Sequence, residues 1–315
     1  QQLPIFSQYR EFHSLINPAI LHCDYVSLSY RPNHAAGVSY RHQWAGLSNG
    51  PKTMLARYEN VNEKFNSVFG GNLINDQTGP LSRTGVYGRY AYRITMSKYS
   101  YITFGGLFGA FQYSYKRDKE ILLDPNDNIG LSNDSWFVPD FGLGAFYNQE
   151  LYNDDVLYVG LSFPQIANDF FQNENDPNAN INKATHIYLN AGLYKYLGDG
   201  FGNVEGSFFL EPSVWVKYAN GAPLNVDLNL RLQVPPIFWL GIGYGVGFLD
   251  RPTGTFFHFE AGVLFDEALG LYDRNLKIGF GYDKLLTPSS YAGFGNTYEV
   301  NLTYSWLTEK RGRRW

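Results

Sequence analysis

The chain has 315 residues and a formal net charge of −4, and its Lys and Arg residues are scattered, which excludes a basic footprint for nucleic acid. No run of 18 or more apolar residues occurs, so a helical membrane span is excluded as well. Aromatic residues are abundant, with 25 Tyr and 24 Phe, although the average hydropathy is negative. A membrane β-barrel fits this composition, because its apolar outer face and polar inner face cancel in the average.

The N-terminal region is the part of the chain least like a barrel strand. The sequence starts at Gln1 without a basic, apolar leader, so we expect an exported protein to have lost its signal peptide. The single cysteine, Cys23, cannot form an internal disulfide, and we interpret it as a small buried hydrophobic residue. Residues 25–30 resemble a short strand that either extends the first barrel strand or lies inside the pore with residues 1–24.

Strict alternation of apolar and polar residues recurs along the rest of the chain and predicts antiparallel strands. In residues 222–233, for example, Leu224 and Leu228 fall on one face while Asp227 and Arg231 fall on the other. A soluble β-sandwich also alternates, but its strands average roughly five or six residues. The segments here run for about 9 to 15 residues, as a tilted strand across a bilayer requires. The predicted strands are 35–44, 51–60, 66–76, 83–95, 99–114, 137–149, 155–163, 184–197, 207–218, 223–233, 237–248, 256–266, 275–283 and 297–307.

The connections between these strands support a count of about fourteen. Alternate connections form two sets, and the three longest, 115–136, 164–183 and 284–296, all belong to the same set. Outer-membrane barrels have short periplasmic turns and longer external loops. An all-β transmembrane antiparallel barrel of about fourteen strands is therefore predicted, with both termini in the periplasm.

Charged residues of both signs occupy the predicted inner face. We favour a network of ion pairs that braces a closed barrel, while a solvated permeation path and a catalytic site are the alternatives. The residues are Arg83, Arg89, Arg93, Glu211, Lys217, Asp227, Arg231, His258, Glu260, Lys277, Asp283 and Glu299.

Motifs of enzymes and of metal sites are missing from the sequence. No G-x-S-x-G, H-E-x-x-H or paired cysteine pattern occurs, and the six histidines are spread singly. We therefore expect a non-enzymatic protein without a cofactor. The one weak candidate for calcium is a cluster that could supply oxygen ligands, namely Asp124, Asn126, Asp127 and Asn128. These residue types are also ordinary turn formers, which is the interpretation we favour.

Several short motifs, in order, resemble the PorP/SprF family of outer-membrane proteins of the Bacteroidota type IX secretion system. The resemblance covers nearly the whole chain, and the order and spacing of the motifs make it specific. The matching residues are Phe6, Ser7, Gln8 and Tyr9; Asn17 and Pro18; Tyr40, Arg41, Gln43 and Trp44; Pro51, Lys52 and Thr53; Asn75, Asp76, Gly79 and Pro80; and later Gly160–Pro164 and Gly221–Leu224.

The resemblance implies a partner role rather than chemistry. Such barrels serve the secretion or surface retention of large proteins, such as gliding adhesins, through a C-terminal targeting domain. The implied partners are that domain, outer-membrane lipid and other type IX components, with no nucleic acid. The long loops would then form the docking surface. The alternatives are a transporter or porin for small or hydrophobic solutes and, without motif support, an outer-membrane hydrolase.

One domain is predicted over residues 1–315. It comprises an N-terminal segment (1–34) that either plugs the barrel or tethers it to the membrane surface, the barrel (35–307) and a basic periplasmic tail (308–315). The tail is either solvated or in contact with a periplasmic component. We expect Trp306, rather than Trp315, to be the terminal aromatic that the assembly machinery recognises, because Trp306 ends the last alternating strand.

Overall fold

The computed structural model describes ten segments of the chain: residues 6–21, 32–115, 134–166, 184–201, 204–234, 237–248, 252–265, 270–271, 273–286 and 293–308. Within these segments, no helix is long and apolar enough to cross a bilayer. The possible strand at 25–30, Cys23 and the calcium candidate at residues 124–128 lie outside the described residues.

Fourteen antiparallel strands form one closed barrel, in which each strand pairs with its neighbours in sequence and β1 pairs with β14. The predicted fold and strand count are confirmed. The strands are β1 (His34–His42), β2 (Lys52–Asn62), β3 (Ser67–Thr78), β4 (Leu81–Ser97), β5 (Ser100–Tyr115), β6 (Asp134–Glu150), β7 (Val156–Phe163), β8 (His186–Phe201), β9 (Val204–Ala219), β10 (Leu224–Val234), β11 (Phe238–Phe248), β12 (Pro252–Phe265), β13 (Arg274–Leu285) and β14 (Thr297–Trp306).

Side chains alternate between the two faces of the wall as the sequence predicts. In β10, Leu224, Leu228 and Leu230 are exposed on the outer face, while Asp227 and Arg231 are buried on the inner face. The outer face therefore presents apolar side chains to lipid, and the lumen holds the polar groups.

Long connections gather at one end of the barrel. The connections after β5, β7 and β13 are the three longest, and all three lie at the end where β1 finishes and β14 begins. We call this the loop end, and the opposite end the terminal end. The turns at the terminal end are short for the most part, such as residues 98–99 between β4 and β5.

The seam between the first and last strands closes the wall over nine paired positions, from His34↔Trp306 to His42↔Tyr298. Trp306 ends β14, as predicted, and its ring stacks on that of His34 with centroids 5.0 Å apart. Below it, His34 Nε2 lies 2.9 Å from Thr308 Oγ1. The barrel is therefore joined at the terminal end by side chains as well as by the β-ladder.

Candidate functional site

Residues 6–21 form a plug inside the lumen. A 3-10 helix (Tyr9–Phe12) leads into a single helical turn (His13–Ile16), and nearly every side chain is buried. The turn ends at Asn17 because the residue before a proline disfavours the helical conformation, and Asn17 adopts φ −142° and ψ 114°. The Asn17 side chain then accepts a hydrogen bond of 2.9 Å from Ala19 N. The plug expected for the N-terminal segment is present in these residues.

The first anchor of the plug is a charged pair of adjacent residues. Arg10 Nε lies 2.9 Å from Glu211 Oε2, and Arg10 Nη1 lies 3.2 Å from Glu260 Oε1. Glu11 Oε1 lies 3.0 Å from Arg231 Nη2, and its other oxygen pairs with Lys277. Each plug charge thus meets two opposite charges on the wall.

These contacts fix the ionisation of the plug. Burial opposes the charged form of Glu11, but the nearby Lys277 and Arg231 outweigh burial and hold its pKa below the usual range. Burial likewise opposes the charged form of Arg10, yet Glu211 leads the groups that raise its pKa well above the usual value. Both groups remain charged because the wall supplies compensating charges where water is excluded.

A glycine opens the wall for one of these contacts. A side chain at Gly241 on β11 would place its Cβ 2.5 Å from Glu260 Oε1. Gly241 therefore leaves the room that Glu260 needs to reach Arg10. This accounts for one glycine of the alternating run Gly241–Gly247 on β11.

The second anchor joins two of the motif segments near the loop end. The backbone N–H groups of Ser7 and Gln8 donate to Glu299 at 2.7 and 3.1 Å, and Ser7 Oγ donates to Asp283 at 2.5 Å. Arg41 donates to the same two carboxylates, at 2.8 Å to Asp283 and 3.1 Å to Glu299. The motif that begins at Phe6 is thus bound to the motif that begins at Tyr40.

The third anchor holds Asn17 and Pro18 against β4, β5, β6 and β7, where the contact with β7 is a hydrogen bond of 3.3 Å from Asn17 Nδ2 to Leu161 O. Asn17 Nδ2 donates to Ala145 O at 3.0 Å, and Arg89 Nε donates to Pro18 O at 2.7 Å. A Cβ at Gly144 would lie 2.0 Å from Asn17 Oδ1, and one at Gly105 would lie 2.4 Å from Pro18 O. These glycines form the recess that accepts the plug.

An apolar cluster covers the opposite side of the plug. Phe6 and Phe12 pack with Tyr87, Leu107 and Phe111 of the wall. The lumen is therefore divided, with aromatic and aliphatic residues on β2 to β5 and most of the paired charges on β9 to β14. The plug matches both halves, since Arg10 and Glu11 face the charged one.

The predicted lumen charges all lie on the inner face. Glu211, Arg231, Glu260, Lys277, Arg89, Asp283 and Glu299 hold the plug, as described above, while Lys217 pairs with Asp227 and His258 Nδ1 lies 2.8 Å from Asp283 Oδ1. Arg83 packs its guanidinium over the Phe111 ring at 4.2 Å. Arg93, near the terminal end, packs over Tyr101 at 5.5 Å. Most of the predicted lumen charges therefore form ion pairs with one another or with the plug.

Sequence reasoning missed several members of the network. Arg10 and Glu11 lie in a segment without alternation, so nothing in the sequence marked them as the partners of the wall charges. Arg57 and Glu59 do alternate on β2, and they form an ion pair of 3.4 Å, with Glu59 also 3.0 Å from Arg89. Their two-residue spacing on β2 was the signal that could have predicted their position on the inner face of the barrel.

The remaining motif residues are mostly paired with one another at the loop end. Thr53 donates to Asp76 at 2.6 Å, Asn75 donates to Thr84 at 2.8 Å, and Gln43 N donates to Pro51 O at 2.8 Å. Gly79, followed by Pro80, has φ +57° in the two-residue turn between β3 and β4. Tyr40 and Lys52 are exposed on the wall.

No cluster of three or more His, Cys, Asp or Glu residues suited to a metal occurs within the described part of the chain. The weak calcium candidate at residues 124–128 falls in an undescribed segment, so it stays a prediction.

Comparison with solved structures finds membrane barrels. The chain is similar to the monoaromatic hydrocarbon channel CymD (TM-score 0.50, 9% identity, 98% of this chain and 95% of that chain). It is also similar to the toluene transporter TodX of Pseudomonas putida (0.48, 9%, 96% and 97%) and to an outer membrane channel of Pseudomonas putida F1 (0.46, 14%, 92% and 100%). At these identities the likeness concerns the fold alone.

Comparison with protein families is more specific. No curated protein matches the chain. The family model described as type IX secretion system membrane protein PorP/SprF matches residues 1–304, a span that includes the plug and all but the last two residues of β14. The chain is an outer-membrane β-barrel, and it belongs to the PorP/SprF family of type IX secretion system membrane proteins.

Proposed function

We propose that this barrel is a non-enzymatic partner of a large secreted protein, such as a gliding adhesin, and that it secretes or retains that protein at the cell surface through the protein's C-terminal domain. The observation that carries the proposal is the filled lumen. Residues 6–21 occupy it and are held by buried ion pairs to Glu211, Glu260, Arg231 and Lys277. A docking partner can use such a barrel without any passage through it.

The proposal includes an orientation and an organisation of the chain. The loop end faces the cell exterior and both termini face the periplasm. The gathering of the three longest connections at one end supports this, since outer-membrane barrels carry their long loops outside. The chain is one domain, with an N-terminal segment (1–34), a barrel (35–307) and a tail (308–315) that contacts the periplasm.

The docking surface in this proposal is the loop end, including the connections predicted at 115–136, 164–183 and 284–296. Much of these connections lies outside the described residues. One part that is described, residues 293–296, is backed by the turn between β1 and β2. Gly46 N donates to Phe294 O at 3.0 Å, and Ala45 N donates to Asn296 O at 2.8 Å. A firm platform at this position suits docking.

Solute transport is the competing function, and the plug argues against it. A solute that crossed the lumen would have to displace Arg10 and Glu11 from their partners, and an unpaired charge left in a buried site is costly. Conductance measurements on the purified chain separate the two functions.

The proposal is tested in the cells from which the chain comes. The barrel is deleted, then restored with the native chain, and the large proteins exposed on intact cells are measured by surface labelling and mass spectrometry. We expect at least one large secreted protein to leave the surface on deletion and to return on restoration. An unchanged set of surface proteins would contradict the proposal.

A further inference from the structure

The apolar band on the outer face of the wall is much narrower on β1 and β2 than on β4. Alternate residues of β2 are buried on the inner face, and the side chains between them point outward. The outward residues are Lys52, Met54, Ala56, Tyr58 and Asn60, of which only the middle three are apolar. We call the outer surface of β1, β2 and β3 the narrow face.

Polar rows border the narrow face at both ends. At the loop end, Lys52 lies between His42 on β1 and Gln77 on β3, and the three are neighbours in the β-ladder. At the terminal end, His34 pairs with Asn60 on the same two strands, β1 and β2. A charged side chain on the lipid face of a barrel is costly within the hydrocarbon and is tolerated near its edge. The two rows therefore mark the edges of the hydrocarbon on this face.

Hydrogen bonds fix the row at the terminal end. His34 Nδ1 lies 2.8 Å from Tyr58 Oη, and His34 Nε2 lies 2.9 Å from Thr308 Oγ1. Asn60 Nδ2 lies 3.1 Å from the same Nε2. A lysine can extend its ammonium group towards water, but the short side chains of Asn60 and His34 cannot. The polar border at this end thus stays at the level of the backbone that carries it.

The spacing of the two rows gives the height of the hydrocarbon that fits between them. Lys52 and Asn60 are eight residues apart on β2, which is about 27 Å along a strand at about 3.4 Å per residue. Strands of outer-membrane barrels tilt by about 35–45°, so the rows are about 20 Å apart across the membrane. The apolar band of such barrels is about 25 Å tall. A bilayer that meets the narrow face without covering its polar rows is therefore thinner than usual.

The strand β4 provides a comparison within the same barrel. Its outward apolar residues run from Val86 through Tyr90, Tyr92 and Ile94 to Met96, and all five are exposed. The first and last are ten residues apart, which is about 34 Å along the strand and about 26 Å across the membrane. This side of the barrel fits a bilayer of ordinary thickness, whereas the narrow face does not.

A hollow of about 720 Å³ indents the narrow face. Ala56 lies between Val38 on β1 and Leu73 on β3, and all three line the hollow. Asn75 and Thr84 line it as well, and Asn75 Nδ2 donates to Thr84 Oγ1 at 2.8 Å. When two leaflets approach each other, their acyl chains spread sideways because the volume of the chains is conserved. The hollow provides room for the displaced chains.

We propose that the narrow face binds lipid as a locally thinned bilayer, with acyl chains filling the hollow. Lipid fits better than a membrane-spanning segment of another protein, because such a helix carries an apolar length of about 30 Å. A bilayer, by contrast, adapts to a short apolar surface by thinning at modest cost. The inference goes beyond the proposed docking function and holds for either orientation of the barrel, since it depends only on the distance between the polar rows.

Spin labels measure the depth of the bilayer on the two sides of the barrel. Lys52→Cys and Asn60→Cys carry the labels on β2. Val86→Cys and Ile94→Cys are the matched controls, because they are also eight residues apart and exposed on the outer face. Each full-length variant, in a Cys23→Ala background, is checked for heat-modifiable migration and reconstituted into dioleoylphosphatidylcholine bilayers. Electron paramagnetic resonance then gives the collision rates of each label with oxygen, which concentrates in hydrocarbon, and with a water-soluble nickel complex.

Both β2 labels should have the nickel-to-oxygen collision ratio of a label at Lys98→Cys, which lies exposed in the turn between β4 and β5. The ratio at both β4 positions should be at least about threefold lower. A hydrocarbon-like ratio at either β2 position overturns the thinning. A water-like ratio at the β4 positions overturns the contrast between the two sides.

The strand β1 offers a second pair of positions in the same two rows. If a β2 variant does not assemble, His42→Cys and His34→Cys replace the pair, because His42 lies beside Lys52 and His34 beside Asn60. The same water-like ratios are expected there, and a hydrocarbon-like ratio at either position overturns the thinning in the same way.

Discussion

Arg10 and Glu211 form a salt bridge of 2.9 Å between the plug and β9, and their side chains are only 1% and 0% exposed. A pair so deeply buried is a weak argument for stability by itself, since both charges were taken out of water. Removing one partner is very costly, however, because the other charge then stays buried without compensation. Separating the plug from the wall is therefore costly, because it would leave both buried charges without a partner.

The first prediction concerns this pair. Arg10→Ala leaves Glu211 buried without its cation and removes the nearest cation of Glu260, which keeps Arg231 at 3.9 Å. We expect it to lower the free energy of unfolding by about 3–5 kcal/mol. Urea unfolding of the purified barrel in detergent micelles measures the change. Lys195→Ala is the control, because Lys195 pairs with Asp155 at 2.7 Å but is nearly half exposed, and exposed pairs contribute less than about 1 kcal/mol. Equal losses in the two variants would contradict the assigned role.

The second prediction concerns the recess for Asn17. Gly144→Ala would bring its Cβ within 2.0 Å of Asn17 Oδ1, whereas Gly106→Ala on β5 meets nothing closer than 3.9 Å. We expect Gly144→Ala to loosen the plug and Gly106→Ala to leave it in place. The readout is maleimide labelling of Ser14→Cys in a Cys23→Ala background, because Ser14 is buried in the native plug.

Labelling of Gly144→Ala should be faster by about tenfold or more, which corresponds to the loss of one buried hydrogen bond. If both glycine variants label at the native rate, the recess does not hold the plug.

The third prediction concerns pH. Burial, aided by the charge of Arg10, lowers the pKa of His13 to about 3, so the folded plug holds this residue neutral. The unfolded chain takes up a proton near pH 6.5. The contribution of neutral His13 to stability is thus complete above pH 6.5 and is lost as the pH falls from there towards 3.

Between pH 6.5 and 5.5 this loss amounts to about 1.4 kcal/mol at most. Urea unfolding at the two pH values measures it, and His13→Gln is the control because glutamine does not titrate. We expect the native chain to lose more stability over this interval than His13→Gln does. The same pH dependence in both would show that His13 is not the responsible group.

Much of the barrel could be predicted from the sequence, because the alternation within each strand shows which residues face lipid and which face the lumen. The alternation of Leu224, Asp227, Leu228 and Arg231 is a local property, and it placed β10 within one residue at each end. The position of the long connections at one end could be predicted as well, because it follows from the lengths of the connections and their order along the chain. The observed strands differ from the predicted ones mainly at their ends, as at β12, which begins at Pro252 rather than at 256.

The contacts of the plug could not be predicted in the same way. Arg10 meets Glu211 across 201 positions of sequence, and nothing near either residue encodes the depth at which the plug sits. That depth depends on the recess at Gly105 and Gly144 and on the register of the strands around it. Alternation identified the inner face, but only the closed barrel determines which inner residues lie at the same level.

The central claim is that this barrel is sealed by its own N-terminal segment and serves as a docking partner rather than as a solute pore. Single-channel recording of the purified full chain in planar bilayers tests it most directly. We predict no sustained conductance steps for the native chain at neutral pH, because Arg10 and Glu11 close the lumen through buried ion pairs. Frequent, long-lived open steps in the native chain would contradict the claim.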